Sequence, residues 1–201
     1  MIMKTAYSEL QSIAASLVSV LRNGYALPHR KSSIAQSSPQ VPPRVINSAA
    51  VVPTPTRHAI VGGIGADGIE ALSAQIRTCR LCPLCESRNK SIPGTGSMHP
   101  LVLVIGEAPG SDEDRLGLPF VGAAGQFLDK WLEAIGLSRY TNVFITSLVR
   151  CRALDNHSPQ PDEITACAPY LNAQIDLLKP IAMVTVGTAA ASYLSGRLVE
   201  L

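Results

Sequence analysis

The sequence predicts a three-layer α/β/α fold on a short parallel sheet, and two observations carry that expectation. LVLVIG (Leu101 to Gly106), VFITSLV (Val143 to Val149) and IAMVTVG (Ile181 to Gly187) are short, nearly continuous apolar runs, as parallel strands covered on both faces require. Between them lie helical patterns: AAGQFLDKWLEAIG from Ala123, and PDEITACAPYLNAQIDLLK from Pro161, which opens with proline in its first turn and acids beside it. Strand, helix, strand, helix, strand reads as an α/β layer fold with right-handed crossovers. Only TAAASYLSGRLVEL follows the third run, a short helix and a stub, so the sheet is expected to lack a last strand.

The segments before the first strand read in chain order as a helix, a linker and a second helix. Residues 1–27 are expected to form an amphipathic helix, because Glu9, Gln11 and several serines interrupt an apolar run that would otherwise pass for an export signal. Residues 28–62 are rich in Pro and Ser, carry basic residues and show no sustained period, the composition of a disordered linker. The folded domain is expected over 63–201. Within it, GIGADG (Gly63 to Gly68) formally matches a dinucleotide-binding G-x-G-x-x-G, but no buried strand precedes it and no βαβ unit closes around it. Its glycines read instead as the end of the linker, with Asp67 and Glu70 capping the helix IEALSAQIRTC.

Composition bounds the function classes. A chain of 201 residues, 46% hydrophobic and 16% charged, is long enough for one buried core with appendages, and nothing approaches the roughly 20 continuous apolar residues of a membrane span. The formal net charge of +2 conceals an asymmetry: residues 1–62 carry six Lys and Arg against one acid, whereas 63–201 carry eleven against fourteen. The basic arm suits a polyanion held by counterion release, or is a solvated linker. Five cysteines, an odd number, include three in TCRLCPLCESR at C-x2-C-x2-C spacing. Without an export signal this reads as thiolate chemistry in a reducing cytoplasm rather than a disulfide framework. Four thiolates are able to hold zinc or an iron–sulfur cluster.

In open α/β sheets ligands bind beyond the carboxyl ends of strands, which directs attention to GEAPGSDEDRLGLPFVGAAGQ after LVLVIG. Gly106, Pro109 and Gly110 make a tight loop. Glu107, Asp112, Glu113 and Asp114 are too many carboxylates for phosphate binding, and suit general-base work, a divalent metal or simple solvation. Phe120 is one of three phenylalanines, set between Pro119 and a Gly-rich turn, as a stacking platform or a core residue.

Taken together, GEAPGSDED, then G-x-PFVG-x-AGQ-x-LD, then V-x-CR after the second strand, then PDEI-x-AC-x-PYL, in this order and spacing, resemble the family 4 uracil-DNA glycosylases. These are iron–sulfur repair enzymes of bacteria and archaea within the uracil-DNA glycosylase superfamily, some members of which are labelled phage-type DNA polymerase-related. The likeness runs from about Ile69 to Gly196.

The resemblance implies a hydrolase of base-excision repair that flips uracil out of DNA and cleaves its N-glycosidic bond. It implies a [4Fe–4S] cluster on Cys79, Cys82, Cys151 and Cys167, with zinc on the same thiols as the physical alternative and Cys85 left as a small buried hydrophobe. It makes Phe120 the ring on which uracil stacks, Gly106, Glu107 and Ala108 the pocket loop, and Glu107 and Glu113 the acids that orient the water. DNA containing uracil is the expected partner, with no membrane, and a monomer is expected.

Two departures stand against that pattern. Ser147 occupies a position where the family places an asparagine that donates to and accepts from the uracil edge, and a serine hydroxyl is shorter with one donor. The family's His-Pro motif lies beyond Leu201, and none of His29, His58, His99 or His157 takes its place by motif. Losing one preorganised donor of this kind costs about 2.7–4 kcal/mol of transition-state stabilisation. The sequence therefore carries a second reading: an inactive, C-terminally truncated remnant acting at most as an iron–sulfur DNA-binding domain.

Overall fold

The computed structural model describes residues 68–153 and 155–199, all within one compact unit. The N-terminal helix, the linker and the Asp67 cap expected from sequence lie outside the described residues. Helix α1 (Gly68–Thr78) and the single turn α2 (Leu84–Ser87) precede the sheet. Then come β1 (Thr95–Gly96), β2 (Val102–Gly106), α3 (Ser111–Leu116), α4 (Ala123–Ala134), β3 (Val143–Ser147), α5 (Pro161–Leu178), β4 (Ala182–Thr185) and α6 (Thr188–Ser195).

The sheet order is β1-β3-β2-β4. Strand β2 is central and parallel to both neighbours, with Leu103 opposite Phe144 and Met183, and Gly106 opposite Ser147. The three apolar runs are thus the three parallel strands. The fourth, β1, pairs antiparallel with β3 through Thr95–Ile145 and Gly96–Phe144. Sequence gave no sign of it, because two residues held by pairing alone carry no period.

Alternation along the strands assigns the two faces. Leu103, Ile105, Phe144 and Leu148 form one buried cluster with Leu171 and Leu178 of α5 and Ala190 of α6. Val102, Val104, Val143 and Ile145 point the other way and are equally buried. The chain leaves β2 for β3 on one side, then crosses back over β2 to reach β4. Right-handed crossovers in those two directions place α4 and α5 on opposite faces, giving three layers. Helix α4 buries Gly125, Leu128 and Leu132.

Helix α5 starts as the sequence predicts: Pro161 occupies the first turn, and Glu163 reaches back to accept the Gln160 N–H at 2.8 Å. A second core lies beside the sheet, where Leu72 and Ile76 of α1 pack with Cys151, Cys167 and Tyr170. Among the described residues no helix is long and apolar enough to cross a membrane.

Candidate active site

Because β3 and β4 flank β2 on opposite sides, the strand order reverses at β2, and its carboxyl end is where a crevice opens in such sheets. Gly106, Glu107 and Ala108 follow directly. The β2 to β3 pairing continues past the strands, with Leu148 N–H donating to the Gly106 carbonyl at 2.8 Å and Val149 N–H to the Glu107 carbonyl at 3.1 Å. Gly106 and the nearly buried Ser147 are register partners on one face of the sheet.

The ring of Phe120 lies on that face. A Cβ on residue 106 would sit 2.6 Å from two ring carbons and 3.6 Å from Ser147 Oγ, so the absence of a side chain at Gly106 is what admits the aromatic ring. Phe120 itself has a φ of 52°, uncommon for a bulky residue, and the surroundings hold it there. Arg139 donates from Nη1 to the Pro119 carbonyl at 3.0 Å and from Nη2 to the Phe120 carbonyl at 2.8 Å. Its Nε binds Asp129 at 2.8 Å. Gly125, in the first turn of α4, lies so close to the Phe120 carbonyl that a Cβ there would collide with its oxygen.

Glu113 closes the same loop. One carboxylate oxygen accepts the Val121 and Gly122 N–H groups, each at 2.9 Å, and the other accepts the Gly110 N–H at 3.1 Å. Both oxygens are taken by backbone donors, which makes Glu113 the fastener between the start of α3 and the segment carrying Phe120. Asp114, 1% exposed, likewise accepts the backbone N–H groups of Asn89 and Lys90. Asp112 is exposed and pairs with Arg115 at 3.4 Å. Glu107 differs from all three: among the described residues no donor binds its carboxylate, and Oε2 faces Gly187 at the end of β4, 3.7 Å from where a Cβ there would stand. The acid-rich stretch therefore contains one half-exposed carboxylate without a hydrogen-bond partner among the described residues, turned toward Gly187, and acids committed to structure.

The cysteines meet on the other side of the pocket loop. Cys79, Cys82, Cys85, Cys151 and Cys167 line one cavity with Arg88, Arg150 and Tyr170, and no acid lines it. Ala108 packs against the same core, so the pocket loop touches the cysteine region. Burial pushes the Cys151 thiol up to about 11 against the opposing pull of Arg88, and raises Cys82 and Cys167 as well. Arg88 donates to Cys151 Sγ at 2.7 Å and to the Cys79 carbonyl at 2.6 Å. Among the described residues, no three His, Cys, Asp or Glu side chains converge as they would around a single metal ion.

His99 is exposed and precedes β2, at the end of the strand away from the pocket. His157 faces Asp155 at 3.6 Å and Glu163 at 3.9 Å. Sequence reasoning did not single out Arg139, Arg88, Arg150 or Gly187. The arginines flanking Cys151 in VRCR were the one visible signal.

A sequence profile described as the uracil DNA glycosylase superfamily matches residues 93–200. The chain belongs to that superfamily. Similar proteins include the type-4 uracil-DNA glycosylase of Sulfurisphaera tokodaii, 42% identical over 135 residues, which cover 67% of this chain and 61% of the relative. The type-4 enzyme of Saccharolobus solfataricus is 43% identical over 129 residues, 64% of this chain and 59% of the relative. That of Pyrobaculum aerophilum is 44% identical over 126 residues, 63% and 64% respectively. The chain thus spans about three fifths of the length of these relatives. The profile match of this superfamily member begins just before β1 and takes in the whole sheet, Phe120 and two of the cavity cysteines, Cys151 and Cys167.

Proposed function

We propose that this chain is a uracil-DNA glycosylase of base-excision repair, with its pocket at Gly106, Glu107, Ala108, Phe120 and Ser147. The observation that carries the reading is the Phe120 ring laid on Gly106 beside Ser147, a flat aromatic wall next to a hydroxyl.

A base flipped out of DNA stacks on Phe120, and its edge meets the Ser147 hydroxyl, directly or through a water. Glu107 orients a water toward the sugar C1′. The C1′–N1 bond breaks with its electron pair leaving on uracil, the water oxygen bonds to C1′, and a water proton passes to the Glu107 carboxylate. The uracil anion then takes a proton from solvent. Glu113 serves by holding Val121 and Gly122, and with them Phe120, rather than by touching the water.

For the cysteine cavity we favour a [4Fe–4S] cluster held by Cys79, Cys82, Cys151 and Cys167. The donor set fits, with these thiols and two guanidiniums around one acid-free cavity. Zinc on the same four thiols is the physical alternative, and the likeness to type-4 relatives is what favours the cluster. When bound, the cluster supplies a covalent fastening between α1, the β3 end and α5; electron transfer is not required of it. Buried thiols release their protons on ligation, so loading offsets the burial that keeps them neutral.

Free uracil titrated into isotopically labelled protein tests the pocket. The expected result is chemical-shift change at Gly106, Phe120 and Ser147, abolished by Phe120→Ala. Shifts elsewhere, or none at saturating uracil, contradict the assignment.

A further inference from the structure

Arg150 is 1% exposed, among the largest side chains the fold buries, and no acid pairs with it among the described residues. It lines the cysteine cavity, and its charge faces Cys167 and Cys151. Its Nη1 donates to the Ser147 carbonyl, and its Nη2 to Gln174 Oε1 at 2.7 Å. Gln174, fully buried, donates in turn to the Pro93 carbonyl at 2.5 Å and accepts from Thr146 at 3.0 Å. A continuous buried polar strut therefore runs from the cysteines to the strand end that presents Ser147. A buried cation without a counter-charge is costly, and of the groups lining this cavity that can carry negative charge, the cysteine thiols and the Tyr170 phenol, the thiols are the ones that metal ligation makes anionic.

We propose that Arg150 is a positioning residue: it takes the ligated cysteines as its counter-charge and so fixes the Ser147 carbonyl and the substrate end of β3. This rests on the iron–sulfur reading of the cavity. Loss of ligation removes that counter-charge from the cavity Arg150 lines, and the strut that holds Ser147 loosens with it. Gln174 belongs to the same device, because it passes the constraint on to Pro93 and Thr146.

Amide hydrogen exchange over residues 143–150 tests the coupling. It is measured on anaerobically purified, iron-loaded protein before and after iron removal by a chelator, in wild type, Arg150→Met and Gln174→Glu. In wild type, removal is expected to speed exchange at Leu148 and Val149 about tenfold. In Arg150→Met no charge is left to strand, and removal is expected to change exchange less than about twofold. Gln174→Glu places a carboxylate within reach of the guanidinium at the cost of the bond to the Pro93 carbonyl, so iron removal is expected to change its exchange less than about twofold relative to its own loaded form; this arm decides the matter if Arg150→Met does not fold. Unchanged exchange in stripped wild type, or equal opening in all three proteins, overturns the inference. Absence of iron from the purified protein overturns it together with the cluster reading. Iron without uracil release overturns only the glycosylase reading, and the exchange data still decide the strut.

Discussion

The Phe120 ring rests on the Cα of Gly106, closer than any side chain at residue 106 would permit. Gly106→Ala therefore pushes the ring off the sheet. Uracil release is expected to fall more than about tenfold, and stability by about 1–3 kcal/mol from overpacking. Parallel thermal melts and excision assays check both, and an alanine variant with wild-type excision contradicts the placement of the ring.

Phe120→Ala removes the stacking surface itself. Base–aromatic stacking contributes about 1–3 kcal/mol, so kcat/KM for uracil release should drop by roughly 5- to 150-fold. Affinity for uracil-free DNA should be unchanged. A steady-state series with a filter-binding control separates the two effects.

Glu107 and Glu113 should fail in different ways. Glu113→Ala strips three backbone N–H groups of their acceptor and is expected to cost about 2–3 kcal/mol of stability, with activity falling as the loop loosens. Glu107→Ala breaks no hydrogen bond among the described residues, and should melt like wild type while losing excision. Denaturant titration of both variants distinguishes them, and a destabilised Glu107→Ala would reassign that residue to the frame.

How far the sequence reached can be seen in the same residues. The strands were legible because full burial on both faces demands unbroken apolar runs, and α5 was legible because Pro161 and Glu163 mark its start in any context. Helix α3 was not read as a helix. Its acids looked like chemistry, whereas Glu113 satisfies backbone groups that only the folded loop brings together. The cysteines were brought together only by the resemblance, because residues so far apart in the chain share a cavity, Cys85 included, only once α1, β3 and α5 have packed. Arg150 stayed hidden since nothing in VRCR tells a buried strut from a surface charge; its role depends on Gln174, 24 residues away.

Ser147→Asn offers a longer side chain with both donor and acceptor to the base edge. It is expected to raise kcat/KM on uracil about tenfold and to sharpen discrimination against cytosine and thymine. Single-turnover assays on three otherwise identical oligonucleotides check this. An unchanged ratio would mean that Ser147 does not face the base.

Of the five cysteines, Cys85 should be dispensable to metal loading. Alanine at Cys79, Cys82, Cys151 or Cys167 is expected to abolish or halve iron content and lower the melting temperature, whereas Cys85→Ala keeps both. Iron and sulfide assays with visible spectra read the outcome, and zinc in place of iron in all preparations contradicts the cluster reading.

The most direct test of the account is uracil release from a single-uracil oligonucleotide by anaerobically purified, iron-loaded protein, with Glu107→Ala beside it. Free uracil and an abasic site are expected from wild type, and loss of both in a Glu107→Ala protein that retains its iron and its melting temperature. No release from iron-loaded wild type, or equal release from both proteins, contradicts it.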